Sequence, residues 1–527
     1  MSRNVSVDSN IVPFLTPEIP ENAPIEIPLL GGTEGMRPSR TQVYRDPAVA
    51  TRLLGVQYDS NGVLRTGLGV IYNANVLSGT ILSNFTYRTN DSVYRIVATT
   101  VGIAYTIGTY GSYTYMTGDA FSGLYSGDWF DFTPWGDKLI CTNPIVGMYE
   151  IDLVAHTYTK ITEAPQDAQT LQVFNGRLVA TNMANNPRRV QWSVKFDSND
   201  WTGLGSGFED LQGVNTYSGN YPLRVIAESD TVALVFRQDS CDMMQATDRF
   251  DSPFVFSSLH RNLPSISTRA IARAKVGTVT VNGRGVYVVT PSNATLVGEG
   301  LTTTADIGLL DVNYGLRIPT RKWFGAYHPG TDEYWLQTEY ATYRYQFKYN
   351  SWVEFEATAG YPVAISPADG AINGPYNGLI GDYASQIGNF GDLTNISQGP
   401  ISIAVGQYDY LYDTYNANPA VQIETSDIDL TVRNKQVTIQ EFELEYYCDN
   451  AQTYTVEYSI DSGASWSTYG TITSSGTVFH SRLATIRKVV TGKQIRFRLS
   501  CNSNSKATRF TYMIMRGVVG TRNYAHQ

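Results

Sequence analysis

Five short turns recur along the first two thirds of this 527-residue chain, each held between two apolar runs. They constrain the fold more than any other feature. The stretches are FTPWGDKLICT, LQVFNGRLVAT, VIAESDTVALVF, VTVNGRGVYVVT and AYHPGTDEYWLQT. Their turn residues are Gly136-Asp137, Asn175-Gly176, Ser229-Asp230, Asn282-Gly283 and Gly330-Thr331, spaced roughly 40 to 55 residues apart. Asn-Gly between apolar runs signals a hairpin, because both residues accept a positive φ. A period of that size, with room for four strands, is the pattern of a β-propeller blade. SVYRIVATTVGIAYTIG upstream and YNGLIGDYASQIGNF downstream offer further blade material, for six or seven blades in all. A multi-sheet β-sandwich is the competing arrangement. Composition agrees with strands and turns: 36 Tyr and 46 Gly stand against only 17% charged residues.

Either side of the repeats the pattern changes. Residues 1–50 carry Pro13, Pro17, Pro20, Pro24 and Pro28. Proline fixes φ and removes donors, so an extended arm is expected there. Within it, IEIPLL is suited to adding a strand to the sheet edge of a partner. In residues 399–527, Phe442, Leu444 and Tyr446 alternate with Glu441, Glu443 and Glu445, and Ile495, Phe497 and Leu499 alternate with Arg496 and Arg498. Period-2 alternation with one polar face marks antiparallel sheets, and two such sheets make a sandwich. The predicted fold is all-β: a β-propeller-like core over 51–398, a C-terminal β-sandwich over 399–527 and an extended N-terminal arm over 1–50.

The chemistry of a site is harder to find. YSIDSGASWSTY contains Ser459, Asp461, Gly463 and Trp466 in an S-x-D-x-G-x-x-W pattern that resembles the Asp-box of sialidase-type propellers. In that motif the carboxylate accepts turn amides, glycine supplies an unusual φ and the indole packs below. This braces a hairpin and catalyses nothing. LRIP, with Arg317, lacks the aromatic residue of the sialidase arginine motif and lies too late in the chain for six blades to follow. A glycosidase needs two carboxylates across a cleft. Asp332 with Glu333, and Asp427 with Asp429, are adjacent or alternate strand positions and do not face one another in that way. The five histidines (His156, His260, His328, His480, His526) show no metal spacing, and TGLGSG lacks the features of a phosphate loop. Cys141, Cys241, Cys448 and Cys501 form no C-x-x-C; free buried thiols are expected, with a Cys448–Cys501 bond as the alternative. No catalytic residue, cofactor or metal is expected, so the chain reads as no enzyme. The N-terminus lacks a signal-peptide core, and no run is long and apolar enough to span a membrane, which suits assembly in a cytoplasm. The net charge of −9 argues against a protein that grips nucleic acid. One basic run stands out: Arg482, Arg487, Lys488, Lys493, Arg496 and Arg498, with no acid among them. It is either a contact for an acidic neighbouring subunit or a solvated sheet face.

The segment NNPRRVQWSVKFDSNDWTGLG, with Arg189, Trp192, Ser193, Asp200 and Trp201, resembles a strand and turn of the tail-nozzle proteins of short-tailed bacteriophages. These are also described as tail hub or packaged-DNA stabilisation proteins. The C-terminal series VQIETSDIDL, VEYSIDSGASWST and TGKQIRFRLS is similar to the same family, in the same order. The resemblance extends over roughly residues 170–527. It implies a propeller core and a homohexameric ring below the portal and adaptor. In the virion that ring retains packaged double-stranded DNA and conducts it at ejection, without sequence-specific binding or stable membrane insertion. The alternative is a receptor-binding or glycan-degrading tail component of sialidase-like propeller type.

Overall fold

The computed structural model describes residues 24–29, 50–58, 63–66, 78–88, 92–107, 113–125, 128–212, 221–261, 263–265, 267–282, 285–297, 323–328, 332–337, 341–356, 420–425, 427–429, 435–448, 452–474, 482–501 and 508–521. The fold is all-β, with two short 3-10 turns between strands among the described residues.

Six four-stranded antiparallel meanders follow one another, and we call them blades 1 to 6. Blade 1 holds Ile81–Arg88, Val93–Thr99, Ile103–Ile107 and Thr114–Tyr115. Blade 2 holds Asp131–Trp135, Lys138–Asn143, Gly147–Asp152 and Thr157–Lys160. Blade 3 holds Ala168–Phe174, Arg177–Met183, Arg189–Trp192 and Gly207–Asp210. Blade 4 holds Pro222–Ala227, Val232–Arg237, Ser240–Ala246 and Phe254–Arg261. Blade 5 holds Ala272–Ala274, Gly277–Asn282, Gly285–Val289 and Ala294–Leu296, and blade 6 holds Phe324–His328, Glu333–Gln337, Ala341–Gln346 and Ser351–Glu356. The five turns found in the sequence join the first and second strands of blades 2, 3, 4 and 6 and the second and third strands of blade 5. In blade 3, Asn175 (φ 50°) and Gly176 (φ 70°) both occupy the left-handed region that such a two-residue turn demands. The downstream stretch YNGLIGDYASQIGNF, read as blade material, lies outside the described residues, as does Arg317.

Apolar layers fill the spaces between blades. Phe121, Phe130, Phe132 and Tyr149 pack between blades 1 and 2. Ile140, Met148, Leu171 and Trp201 lie between blades 2 and 3, and Phe174, Trp192, Val235 and Phe254 between blades 3 and 4. Each such side chain contributes about 1.5–3 kcal/mol by leaving water. Alternate residues on one strand serve opposite neighbours, so Leu171 packs toward blade 2 and Phe174 toward blade 4.

Beyond blade 6 lies a sandwich of two sheets. One carries Val421–Thr425, Gln494–Cys501, Thr453–Ser459 and Ser467–Thr473. The other carries Arg482–Gly492, Lys435–Cys448 and Thr508–Thr521. Their inner faces meet in aromatic pairs: Phe442 stacks on Phe497 at 5.7 Å, and Tyr454 meets Phe510 edge-on at 5.5 Å. The Lys435–Cys448 strand shows the expected alternation, with Phe442, Leu444 and Tyr446 in the core.

Two features depart from the sequence reading. Residues 50–66, assigned there to the opening of the repeats, join the sandwich: Ala50–Leu54 pairs with Val421–Thr425, and Leu64–Thr66 pairs with Thr508–Thr521. They also attach the sandwich to blade 6. Arg52 grips Glu354 with two bonds of 3.0 and 2.9 Å, and Gln346 exchanges two bonds of 3.1 Å with the Tyr58 backbone. The second departure concerns the arm. Pro24–Pro28 does add to a sheet, but to its own chain, pairing antiparallel with Ile514–Val518. Its prolines leave few donors on the outer side, which blunts that edge.

Candidate functional site

The first strands of the blades are the innermost, and at the end where they begin, side chains reach across the propeller axis. Arg224 of blade 4 donates to Asp131 of blade 2 at 2.8 Å, with blade 3 between them in sequence. The other Asp131 oxygen accepts the Leu171 amide of blade 3 at 2.9 Å. Burial pushes the Asp131 carboxyl up in pKa, and Arg224 and the amide bonds oppose that shift only in part. Alongside, the Arg269 guanidinium lies 5.4 Å from the Trp129 ring centre and 4.9 Å from that of Phe324 in blade 6. The Trp129 carbonyl accepts from Asn143 of blade 2 and Gln169 of blade 3. Asn182 of blade 3 reaches Thr268 beside Arg269. Residues from four blades and two connections therefore meet at one point. This ties blades 2, 3, 4 and 6 to one another and fills the space between their first strands there. None of these residues stood out in the sequence, since only the fold brings them together.

The Asp-box-like hairpin is built as expected around its carboxylate. Asp461 Oδ1 accepts from the Ser459 hydroxyl at 2.6 Å and the Ser465 amide at 2.9 Å, and the Ser465 hydroxyl donates to Oδ2. Those donors, Ser459 first and then Ser465, hold the Asp461 pKa down at about 2. Gly463 takes φ 89°. The tryptophan differs from expectation. Trp466 is half-buried, not sealed beneath the turn, and the Arg498 guanidinium stacks on it at 4.2 Å. The hairpin tie is intact above the ordinary aspartate pKa and is lost as pH falls through about 2. Asp461→Ala is expected to speed exchange of the Ser465 amide about tenfold while the global transition stays in place. An unchanged exchange rate would count against the tie.

Each named member of the strand and turn over residues 189–201 has a partner or is packed within the chain. Arg189 forms a two-pronged pair with Asp210 (2.8 and 2.9 Å) and lies 3.6 Å over the Phe208 ring. Trp192 and Trp201 are buried, the latter donating its indole N–H to the Ser198 carbonyl at 2.9 Å. Ser193 accepts the Leu178 amide, and Asp200 accepts the amides of Thr202 and Gly203.

The basic run divides. Arg496 is buried against Glu424 and Asp427, both at 2.9 Å, and Arg498 pairs with Glu457 at 2.8 Å. These two are therefore neutralised within the chain, which corrects the reading of them as subunit contacts. Arg487 meets Glu441 at 3.0 Å with most of its side chain in water. Lys488 and Lys493 are exposed without an ion pair among the described residues, and the Arg482 side chain is outside them. Three of the other carboxylates weighed from sequence are also committed, and the Asp429 side chain lies outside the described residues. Glu333 accepts from Trp335 and Gln346, Asp332 from Tyr327, and Asp427 from Arg496. Cys141 and Cys241 are free buried thiols, Cys501 is buried with its sulfur accepting from Gln452 at 2.6 Å, and the Cys448 side chain of the alternative bond lies outside the described residues. Among the described residues no cluster is arranged to hold a metal ion, and no helix is long and apolar enough to cross a membrane.

No family model matches the chain, and no curated protein matches its sequence. Among solved structures, a Ruminococcus gnavus GH29 fucosidase in complex with fucose aligns over 20% of this chain and 19% of its own, at 14% identity and a TM-score of 0.14. A Mycobacterium tuberculosis puromycin-hydrolyzing peptidase aligns over 57% of this chain and 52% of its own, at 12% identity and a TM-score of 0.35. This chain thus spans about half or less of either protein. At those scores neither likeness bears on what the chain does.

Proposed function

We propose that this chain is a structural subunit of a short-tailed phage tail, one of six copies in a nozzle below the portal and adaptor. The ring retains packaged DNA and conducts it at ejection. The ordered resemblance over residues 170–527 motivates the reading. The observation that carries it furthest is the filled propeller axis. Asp131–Arg224 and Trp129–Arg269–Phe324 occupy the place where a propeller enzyme keeps its reacting groups, and the one carboxylate there is held by an arginine. A passage for DNA then belongs between copies. The net charge of −9 favours a wall that DNA slides past.

Particles assembled without this protein test the proposal. They are expected to fill with DNA and then lose it, leaving genomes open to nuclease in most particles. Full retention of DNA would overturn the proposal. Cleavage of host surface polysaccharide by the purified chain would favour the glycan-degrading alternative.

A further inference from the structure

Two apolar surfaces of the chain are left in water, and their charges are opposite. The first lies on the turn side of blades 3 and 4. Phe196, Leu204 and Phe250 are 54–77% exposed there. They form one patch because glycines let them lie on backbone. The Phe196 ring covers Gly176, where a Cβ would come within 2.7 Å of it, and Phe250 covers Gly205, where a Cβ would come within 3.2 Å. Arg177, next to Gly176, bonds the Gly205 carbonyl at 3.2 Å and links the two halves. Phe196 holds φ 63°, a strained conformation for an aromatic residue, and uses it to stand in solvent. Around the patch, Asp197, Asp200, Asp230, Asp248 and Asp251 outnumber Lys195 and Arg249.

The second surface is the Arg482–Gly492 strand, which among the described residues is the end strand of its sheet and pairs with Lys435–Cys448 alone. Leu483 and Val489 on it, and Ile460 against Gly492, are 54–67% exposed. The charges along it are basic: Lys493 has no ion pair among the described residues, Lys488 donates to the Thr468 carbonyl and lies over the Tyr458 ring, and Arg487 shares Glu441 with Arg516. The nearby Asp461 is tied up by hydroxyls. An eleven-residue end strand with exposed aliphatic side chains is a surface that native proteins cover.

We infer that these surfaces are the two halves of one contact between copies of this chain. The acid-rimmed aromatic patch of one copy seats the basic end strand of the next. A contact between two different surfaces repeats head to tail, and builds a ring when the rotation from copy to copy closes. The inference rests on the nozzle reading and names the surfaces that would build it.

The test uses the full chain and two surface variants. One carries Leu204→Asp with Phe250→Asp, the other Leu483→Asp with Val489→Asp. Each alone is expected to associate at least ~100-fold more weakly than the wild type. Mixed in equal amounts, they should form one-to-one pairs by mass photometry, since each keeps one working half. Wild-type-like assembly by either variant, or no pairing in the mixture, overturns the inference and leaves the nozzle reading standing. Pairing by chains that never join a tail particle upholds the contact and sinks the nozzle. A wild type that stays monomeric at high concentration overturns both. Should the apolar variants misfold, charge reversal replaces them. Asp248→Lys with Asp251→Lys, and Lys488→Glu with Lys493→Glu, should each weaken the ring, and one chain bearing all four changes should recover it. Failure to recover also overturns the contact.

Discussion

Arg224→Met is expected to cost this chain about 3–5 kcal/mol, because it leaves the buried Asp131 carboxylate without its cation. Arg224 and Asp131 sit 2.8 Å apart at the propeller axis, with little of either side chain in water. In the wild type, burial already raises the Asp131 pKa and Arg224 opposes it. Removing Arg224 takes away the largest opposing cause, so the carboxyl rises further. A carboxyl raised in the fold binds its proton at a higher pH than it does in the unfolded chain. The variant therefore gains stability as pH falls from neutral toward the ordinary aspartate value, and loses it again as pH rises. Urea unfolding at pH 7 and pH 5 measures both effects. Adding Asp131→Asn to the Arg224→Met variant should recover more than half of the loss. A cost below about 1 kcal/mol would mean that the pair does not tie blade 2 to blade 4.

Gly517→Ala is the second large effect, about 3 kcal/mol, and it comes from the backbone. Gly517 lies in the Thr508–Thr521 strand, opposite Ile25 of the arm and Ile439 of the sandwich. A Cβ there would lie 2.2 Å from the Thr438 carbonyl oxygen and 3.0 Å from the Ile439 Cα. Neither atom can turn aside as a side chain can, so the strands must part beside the bulge at Ile439 and Glu441. Faster amide exchange in Pro24–Pro28 is expected with the lower urea midpoint. Gly136→Ala is the control. Open space surrounds that position, and only its φ of 61° opposes a side chain, at about 1 kcal/mol. Equal losses at the two sites would refute the steric cause.

These contrasts also show what the sequence could disclose. The five turns were legible because each depends on local chemistry, turn-forming residues between two apolar runs, and each proved to join two neighbouring strands of one blade. The alternation of Phe442, Leu444 and Tyr446 was legible for the same reason. What stayed hidden is non-local. The basic run looked unopposed because its acids lie far away in sequence: Glu424 is 72 residues from Arg496, and Glu457 is 41 from Arg498. Trp466 looked like a buried anchor until Arg498 was found stacked upon it. The Arg52–Glu354 tie, spanning 302 residues, could not be read from any window of the chain. The axial cluster is likewise assembled from isolated residues, none of which stands out in its own stretch.

A reconstruction of the tail in native particles, computed without imposed symmetry, tests the nozzle most directly. The expected map shows six copies around an axial channel, with each propeller axis filled and the DNA path between copies. A single copy per tail, or DNA threading one propeller, would contradict it.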